Sequence, residues 1–199
     1  MADAYRGPLI TWSVGSAGAE PVLLLHDRYK DHDELADLGA ELAAKRRVVR
    51  VRGARTQMED TSIKGYYWFI GPLERPELST FGDGLHHLET LLLSLTDASP
   101  DRRVALVGHG EGGTMALTLA LVWPERISRV VSIDGPLPAN RDAFPLELRG
   151  ASGLPVLLVP EARNLDETAT ALKQSGCRVE TGRGAGAVAD WLLTAAVPA

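Results

Sequence analysis

A chain of 199 residues is long enough to bury a core of its own, and a net charge of −5 lacks the basic excess that nucleic-acid binding requires. With 45% apolar and 24% charged residues and a mean hydropathy of −0.04, the composition is that of an ordinary water-soluble globular protein. Cys177 is the only cysteine, which excludes an internal disulfide framework or a cysteine-built metal site and points to a reducing cytoplasm.

The N-terminal stretch "MADAYRGPLITW" has no basic segment leading into an apolar one, so it reads as no signal peptide. No apolar run approaches the roughly 18–20 residues needed to span a bilayer. "PVLLLH" (Pro21 to His26) is continuously apolar, as a strand buried on both faces would be. "DELADLGAELAAKRR" places Leu35, Leu38 and Leu42 at helical spacing, and "VVRVRG" (Val48 to Gly53) is the next short β-branched run. Residues 54 to 80 have no clear period and contain the aromatic knot "GYYWF" (Gly65 to Phe69); an excursion of this kind usually caps a site. "LHHLETLLLSL" reads as helix, "RVALVG" as a buried strand and "GTMALTLALVW" as a helix ended by Pro124. "RVVSIDG", "PVLLVP" and the weaker "CRVET" add strands, with helices from "LDETATALKQSG" and "AGAVADWLLTAA". Strands alternating with helices give βαβ units, hence a mostly parallel sheet covered on both faces. One domain spanning residues 1–199 is the simplest organisation. Ligands in such sheets bind beyond the carboxyl ends of the strands.

The turn between the "RVALVG" strand and its helix is Gly108-His109-Gly110-Glu111-Gly112. It fits the nucleophile-elbow pattern G-x-S-x-G at every position except the serine. With "VLLLHD", "VRVRGAR", "GYYWF" and "VGHGEGGTMALTLALVWPERISRVVSIDGPLP", nearly the whole chain resembles the α/β-hydrolase superfamily, and within it the small phospholipase/carboxylesterase group. The resemblance implies an α/β-hydrolase fold with helices on both faces of the sheet and no large separate lid domain. It also implies a Ser-His-Asp triad, which this sequence does not carry. Gly110 stands in the serine slot, Asn164 at or near the aspartate, and Arg183, within Gly182-Arg183-Gly184, in the histidine slot. Glycine has no nucleophile, asparagine no charge to support an imidazolium, and arginine cannot act as a base near neutral pH. No histidine follows His109, so the order Ser…Asp…His cannot be completed.

Several residues around this turn could carry other chemistry, and each also has a structural reading. Glu111 opens the helix: its N–H is an oxyanion-type donor and its carboxylate a candidate acid or base, or simply an acid favoured by the helix dipole. Asp134, at the end of a buried strand, is the second catalytic candidate, or a turn-forming Asp before Gly-Pro. Asp27 and Arg28 replace the small residues common after the family's His. Arg28 could hold a substrate carboxylate or phosphate, or pair with Asp27 or Asp31. Arg183 could bind an anion or pair with Glu111. Among the aromatic residues, Trp68 could line the pocket with Gly110 at its floor, or pack the loop. His26 and His109 read as hydrogen-bonded structural residues. His86 and His87 lack the spacing of a metal pair, and His32 looks like part of a helix start, so neither metal nor cofactor is expected.

Three functions fit these residues. One is a non-hydrolytic enzyme that transfers protons, eliminates, cyclises or rearranges a small carbonyl or acyl compound. Another is a catalytically silent protein with a ligand-binding or regulatory role; the third is an esterase with relocated residues. The expected partner is a small molecule rather than nucleic acid or membrane, with a homodimer left open.

Overall fold

The structure is a computed structural model that describes Tyr5, residues 7–97, Ser99 and residues 101–194. The N-terminal expectation therefore rests partly on residues outside the described ones, as does the end of the "AGAVADWLLTAA" helix.

Among the described residues, seven strands form the main sheet: β1 (Ile10–Gly15), β2 (Pro21–Leu25), β3 (Arg47–Arg52), β6 (Val104–His109), β7 (Ile127–Ile133), β8 (Pro155–Val159) and β9 (Arg178–Thr181). Their order is β1-β3-β2-β6-β7-β8-β9, and every pairing is parallel except the antiparallel edge pair β1–β3. Helices α1 (Ala36–Leu42), α2 (Leu78–Thr96), α3 (Glu111–Val122), α4 (Asp166–Gln174) and α5 (Gly184–Thr194) connect the strands or follow them.

The pleat explains why the strands read as unbroken apolar runs. Leu23 and Leu25 point into the core under α2, α3 and α4, while Val22 and Leu24 point into the core under α1 and α5. Leu106 and Val107, Val130 and Val131, and Leu158 and Val159 divide the same way between the two cores. Both faces are covered, so both sets must be apolar. Helix α3 is buried from Glu111 through Leu121 and is accordingly apolar almost all round, as a helix with neighbours on several sides must be.

Three features differ from the sequence expectation. β1 was not anticipated, because its burial is shallow and an edge strand needs no strong apolar pattern. Part of the 54–80 excursion is ordered: β4 (Arg55–Glu59) and β5 (Ser62–Tyr67) form a two-stranded hairpin with a register shift at Gln57/Met58. Tyr66 in β5 exchanges backbone hydrogen bonds with Tyr29 and Lys30, which pins the hairpin over the loop after β2. Helix α1 spans only Ala36–Leu42, shorter than its periodic stretch.

Candidate active site

The site forms where β6 meets α3. Strand β6 ends at His109, Gly110 alone makes the turn with φ 48° and ψ −112°, and α3 begins at Glu111. The left-handed φ suits glycine. The flanking glycines serve proximity: a Cβ on Gly108 would lie 2.1 Å from the Gly112 carbonyl oxygen, and one on Gly112 would lie 2.2 Å from that of Leu25. Strand, helix and neighbouring strand meet backbone to backbone.

The place of a side chain at position 110 is taken. An ideal Cβ on Gly110 would fall 1.8 Å from Oδ1 and 2.7 Å from Oδ2 of Asp27. Asp27 follows β2 and reaches across the turn, where Oδ1 accepts a hydrogen bond of 2.8 Å from the Glu111 N–H. This N–H is the donor that, in a serine hydrolase, would face the developing oxyanion. A carboxylate oxygen thus stands close to where a nucleophile's oxygen would stand, and its partner Oδ2 has no hydrogen bond among the described residues.

Glu111 itself is fully buried. Its Oε1 accepts from Arg28 Nε at 2.5 Å and its Oε2 from the Trp68 N–H at 2.7 Å. Burial pushes its carboxyl above the ordinary value, against the opposing pull of the Trp68 N–H and Arg28. Arg28 also donates to the carbonyls of Gly71 and Phe69 and lies over the Phe69 ring. Arg28 is thus committed to Glu111 and the 69–71 backbone rather than to Asp27 or Asp31. Trp68, expected as a pocket wall, is 1% exposed; its indole Nε1 donates to the His26 carbonyl, so it ties its loop to the end of β2.

Asp134 carries a positive φ of 52° at the end of β7. Its Oδ1 accepts from the N–H groups of Glu161, Ala162 and Arg163, and its Oδ2 from Ala162, all within 3.1 Å. The carboxylate holds the loop after β8, rather than its own turn. Asn164 lies in that loop, exposed, and its Oδ1 accepts from the Asp166 N–H at the start of α4. Arg183 is exposed between β9 and α5 and makes no hydrogen bond or ion pair among the described residues, so the pairing with Glu111 considered for it belongs to Arg28. A groove of about 620 Å³ runs beside the same loop, lined by Glu74, Leu137, Arg141, Arg163, Asn164 and Thr168 among others.

The two histidines at the mouth differ. His26 is buried, its Nε2 accepting from the Gly53 N–H and its Nδ1 donating to the Asp27 carbonyl. Burial lowers its pKa, in keeping with a neutral structural ring. His109 is half-buried, and its Nδ1 bonds Glu34 Oε1 at 3.0 Å. That carboxylate raises the pKa of His109, assisted by the charges of Asp27 and Asp134. Glu34 Oε2 accepts the Asp27 N–H at 2.6 Å, so one glutamate holds both residues. Burial disfavours the Glu34 anion, yet the bonds from His109 and Asp27 bring its carboxyl below the ordinary value.

Asp27 and Glu34 were not among the residues nominated from sequence. Asp27 was visible only as an unusual neighbour of His26; Glu34, separated from His109 by 75 positions, gave no signal. Among the described residues no group of His, Cys, Asp and Glu has the arrangement of a metal site.

The family model for the alpha/beta hydrolase fold matches residues 73–174, more than half of the chain and including the elbow. The chain belongs to this family. Solved members of the fold superpose over nearly their full length. A carboxylesterase from Mesorhizobium loti is 21% identical with a TM-score of 0.74, covering 96% of this chain and 97% of its own. The protein Atu2452 of Agrobacterium tumefaciens, of unknown function, is 18% identical at a TM-score of 0.72, with coverages of 97% and 98%. The Bacillus cereus carboxylesterase is 15% identical at 0.67, with 95% and 94% covered. At these identities the likeness is one of fold. No curated protein matches the chain by sequence. No described helix is long and apolar enough to cross a membrane.

Proposed function

We propose that this α/β-hydrolase-fold protein is a non-hydrolytic enzyme that moves protons with carboxylates on a small, uncharged carbonyl or acyl compound. The observation that carries the reading is Asp27 Oδ1 in the space of the missing side chain of Gly110. Serine at an elbow needs a histidine base and an acid behind it. A carboxylate is already ionised and needs neither, so Arg183 and Asn164 at the other two triad positions are compatible with chemistry centred on Asp27. The carbonyl or acyl class is suggested by structural neighbours named as carboxylesterases. The preference for uncharged compounds follows from charge: Glu111 is balanced by Arg28, while the three carboxylates of Asp27, Glu34 and Asp134 gather around His109, an excess that disfavours anions there.

In this reading Glu111 and Asp134 position the site rather than react. One orders Arg28, Trp68 and the elbow; the other orders the loop after β8. The same saturation of their oxygens favours a second reading, a silent binding protein whose triad site has become structural.

Two measurements separate the readings. Incubation with a serine-directed fluorophosphonate should leave the intact mass unchanged. Deuterium exchange at the α-carbons of cyclohexanone in D2O, followed by proton NMR, should be accelerated over buffer. A stoichiometric fluorophosphonate adduct would favour a relocated serine and overturn the proposal; no acceleration would leave the silent reading.

A further inference from the structure

Outside the triad positions, one group of titratable side chains is brought together at the elbow by two segments of the chain, the β2–α1 connection and the end of β6. Asp27 comes from the end of β2, Glu34 from the loop before α1, and His109 from the last residue of β6. Glu34 bridges the other two, taking the Asp27 N–H on Oε2 and the His109 Nδ1 on Oε1. Asp27 is thereby fixed through its backbone as well as through its Oδ1 bond to Glu111 N–H. Both residues keep one side-chain atom without a partner among the described residues: Oδ2 of Asp27 and Nε2 of His109. Both residues are half-buried, between the core and the surface.

We propose that Asp27 is the proton acceptor of this site and His109, oriented by Glu34, its proton donor. The inference rests on the proton-transfer reading above and assigns its residues. With a ketone, Asp27 Oδ2 takes the α-proton as the C–H electron pair moves toward the carbonyl carbon. The carbonyl π pair then becomes an O–H bond to the proton from His109 Nε2, leaving an enol, a neutral imidazole and a protonated Asp27. Protonated Asp27 then exchanges its proton with solvent deuterium and returns a deuteron to the carbon as the enol O–H proton goes back to His109 Nε2, which restores both groups and leaves the label in the ketone. The two environments divide the roles: Asp27 has one oxygen held by a helix N–H and the other left to accept, while the Glu34 carboxylate raises the pKa of His109 and so favours it as the donor. The titratable groups facing His109 are Glu34, Asp27 and Asp134, and those beside Asp27 include His26, His109 and Glu111.

The test uses the full chain and cyclohexanone exchange as a function of pD. The wild-type rate should fall at alkaline pD as His109 loses its proton. Asp27→Asn should lower the exchange rate by about 100-fold or more, the usual scale of a positioned base. Gly110→Ala should do the same without touching Asp27, because its Cβ displaces the carboxylate; circular dichroism identifies whichever variant remains folded. His109→Gln should lower the rate about tenfold and abolish the alkaline fall, an effect that a merely structural histidine would not produce. Exchange that survives in folded Asp27→Asn and Gly110→Ala would overturn this assignment while leaving proton transfer to another group. Absence of exchange in the wild type would overturn the parent reading and this one together.

Discussion

Asp27 and Gly110 occupy one space between them: the carboxylate of the first lies where the Cβ of any side chain at the second would be, 1.8 Å from Oδ1. The turn is retained because β6, α3 and β2 touch through glycine backbone. A side chain placed at 110 would meet that carboxylate first.

Gly110→Ser should therefore yield neither an esterase nor a stable protein. The left-handed φ and the clash together should cost roughly 1–3 kcal/mol in urea unfolding. Asp27→Gly added to Gly110→Ser should recover much of that loss. Only in that background can Asn164→Asp and Arg183→His be asked to rebuild ester turnover, measured with p-nitrophenyl acetate. A Gly110→Ser single variant as stable as the wild type would contradict the placement of Asp27.

Breaking the Arg28–Glu111 pair should be asymmetric. Arg28→Met leaves a fully buried carboxylate with the Trp68 N–H as its one partner, a loss on the order of 3 kcal/mol. Glu111→Gln should cost less, since the amide oxygen can still accept from Trp68 and Arg28 retains the Gly71 carbonyl and contact with solvent. Chemical denaturation of the two variants checks the order.

The His109–Glu34 pair should stabilise the fold most under mildly acidic conditions. His109 titrates above its ordinary 6.5 in the folded chain, so its contribution is complete below 6.5 and is lost as pH rises through the folded value. Glu34 titrates below its ordinary 4.5, so its contribution is present above 4.5 and is lost as pH falls through the folded value. His109→Gln should then destabilise by about 1 kcal/mol between pH 5 and 6 and by much less at pH 9. His26, which titrates in the opposite sense, is common to both proteins and cancels in the difference. Thermal melts of the pair across pH settle it.

Asp134→Ala should strip an acceptor from three consecutive N–H groups, those of Glu161, Ala162 and Arg163. A loss of about 2–3 kcal/mol follows if the loop cannot turn them to water. Faster amide hydrogen exchange at 161–163, before any change in the sheet, would locate the effect.

The sequence by itself determined the layered architecture. A strand covered on both faces must be apolar at every position, and the runs at Pro21–Leu25, Val104–His109 and Pro155–Val159 could hardly be anything else. It also determined the elbow, because glycines at 108, 110 and 112 satisfy a local backbone demand that is visible within five residues, and it determined the absence of a serine there. The tertiary structure alone decided which charges meet. Arg183 was the partner that the sequence offered Glu111, and the fold gives it Arg28 from the loop after β2 instead, while Arg183 is exposed. Asp27 reaches the elbow and Glu34 reaches His109 through contacts between residues 84 and 75 positions apart. Periodicity records which face of an element is buried; it carries no information about which polar atom on one loop will find which on another, and the chemistry of this site depends on those pairings.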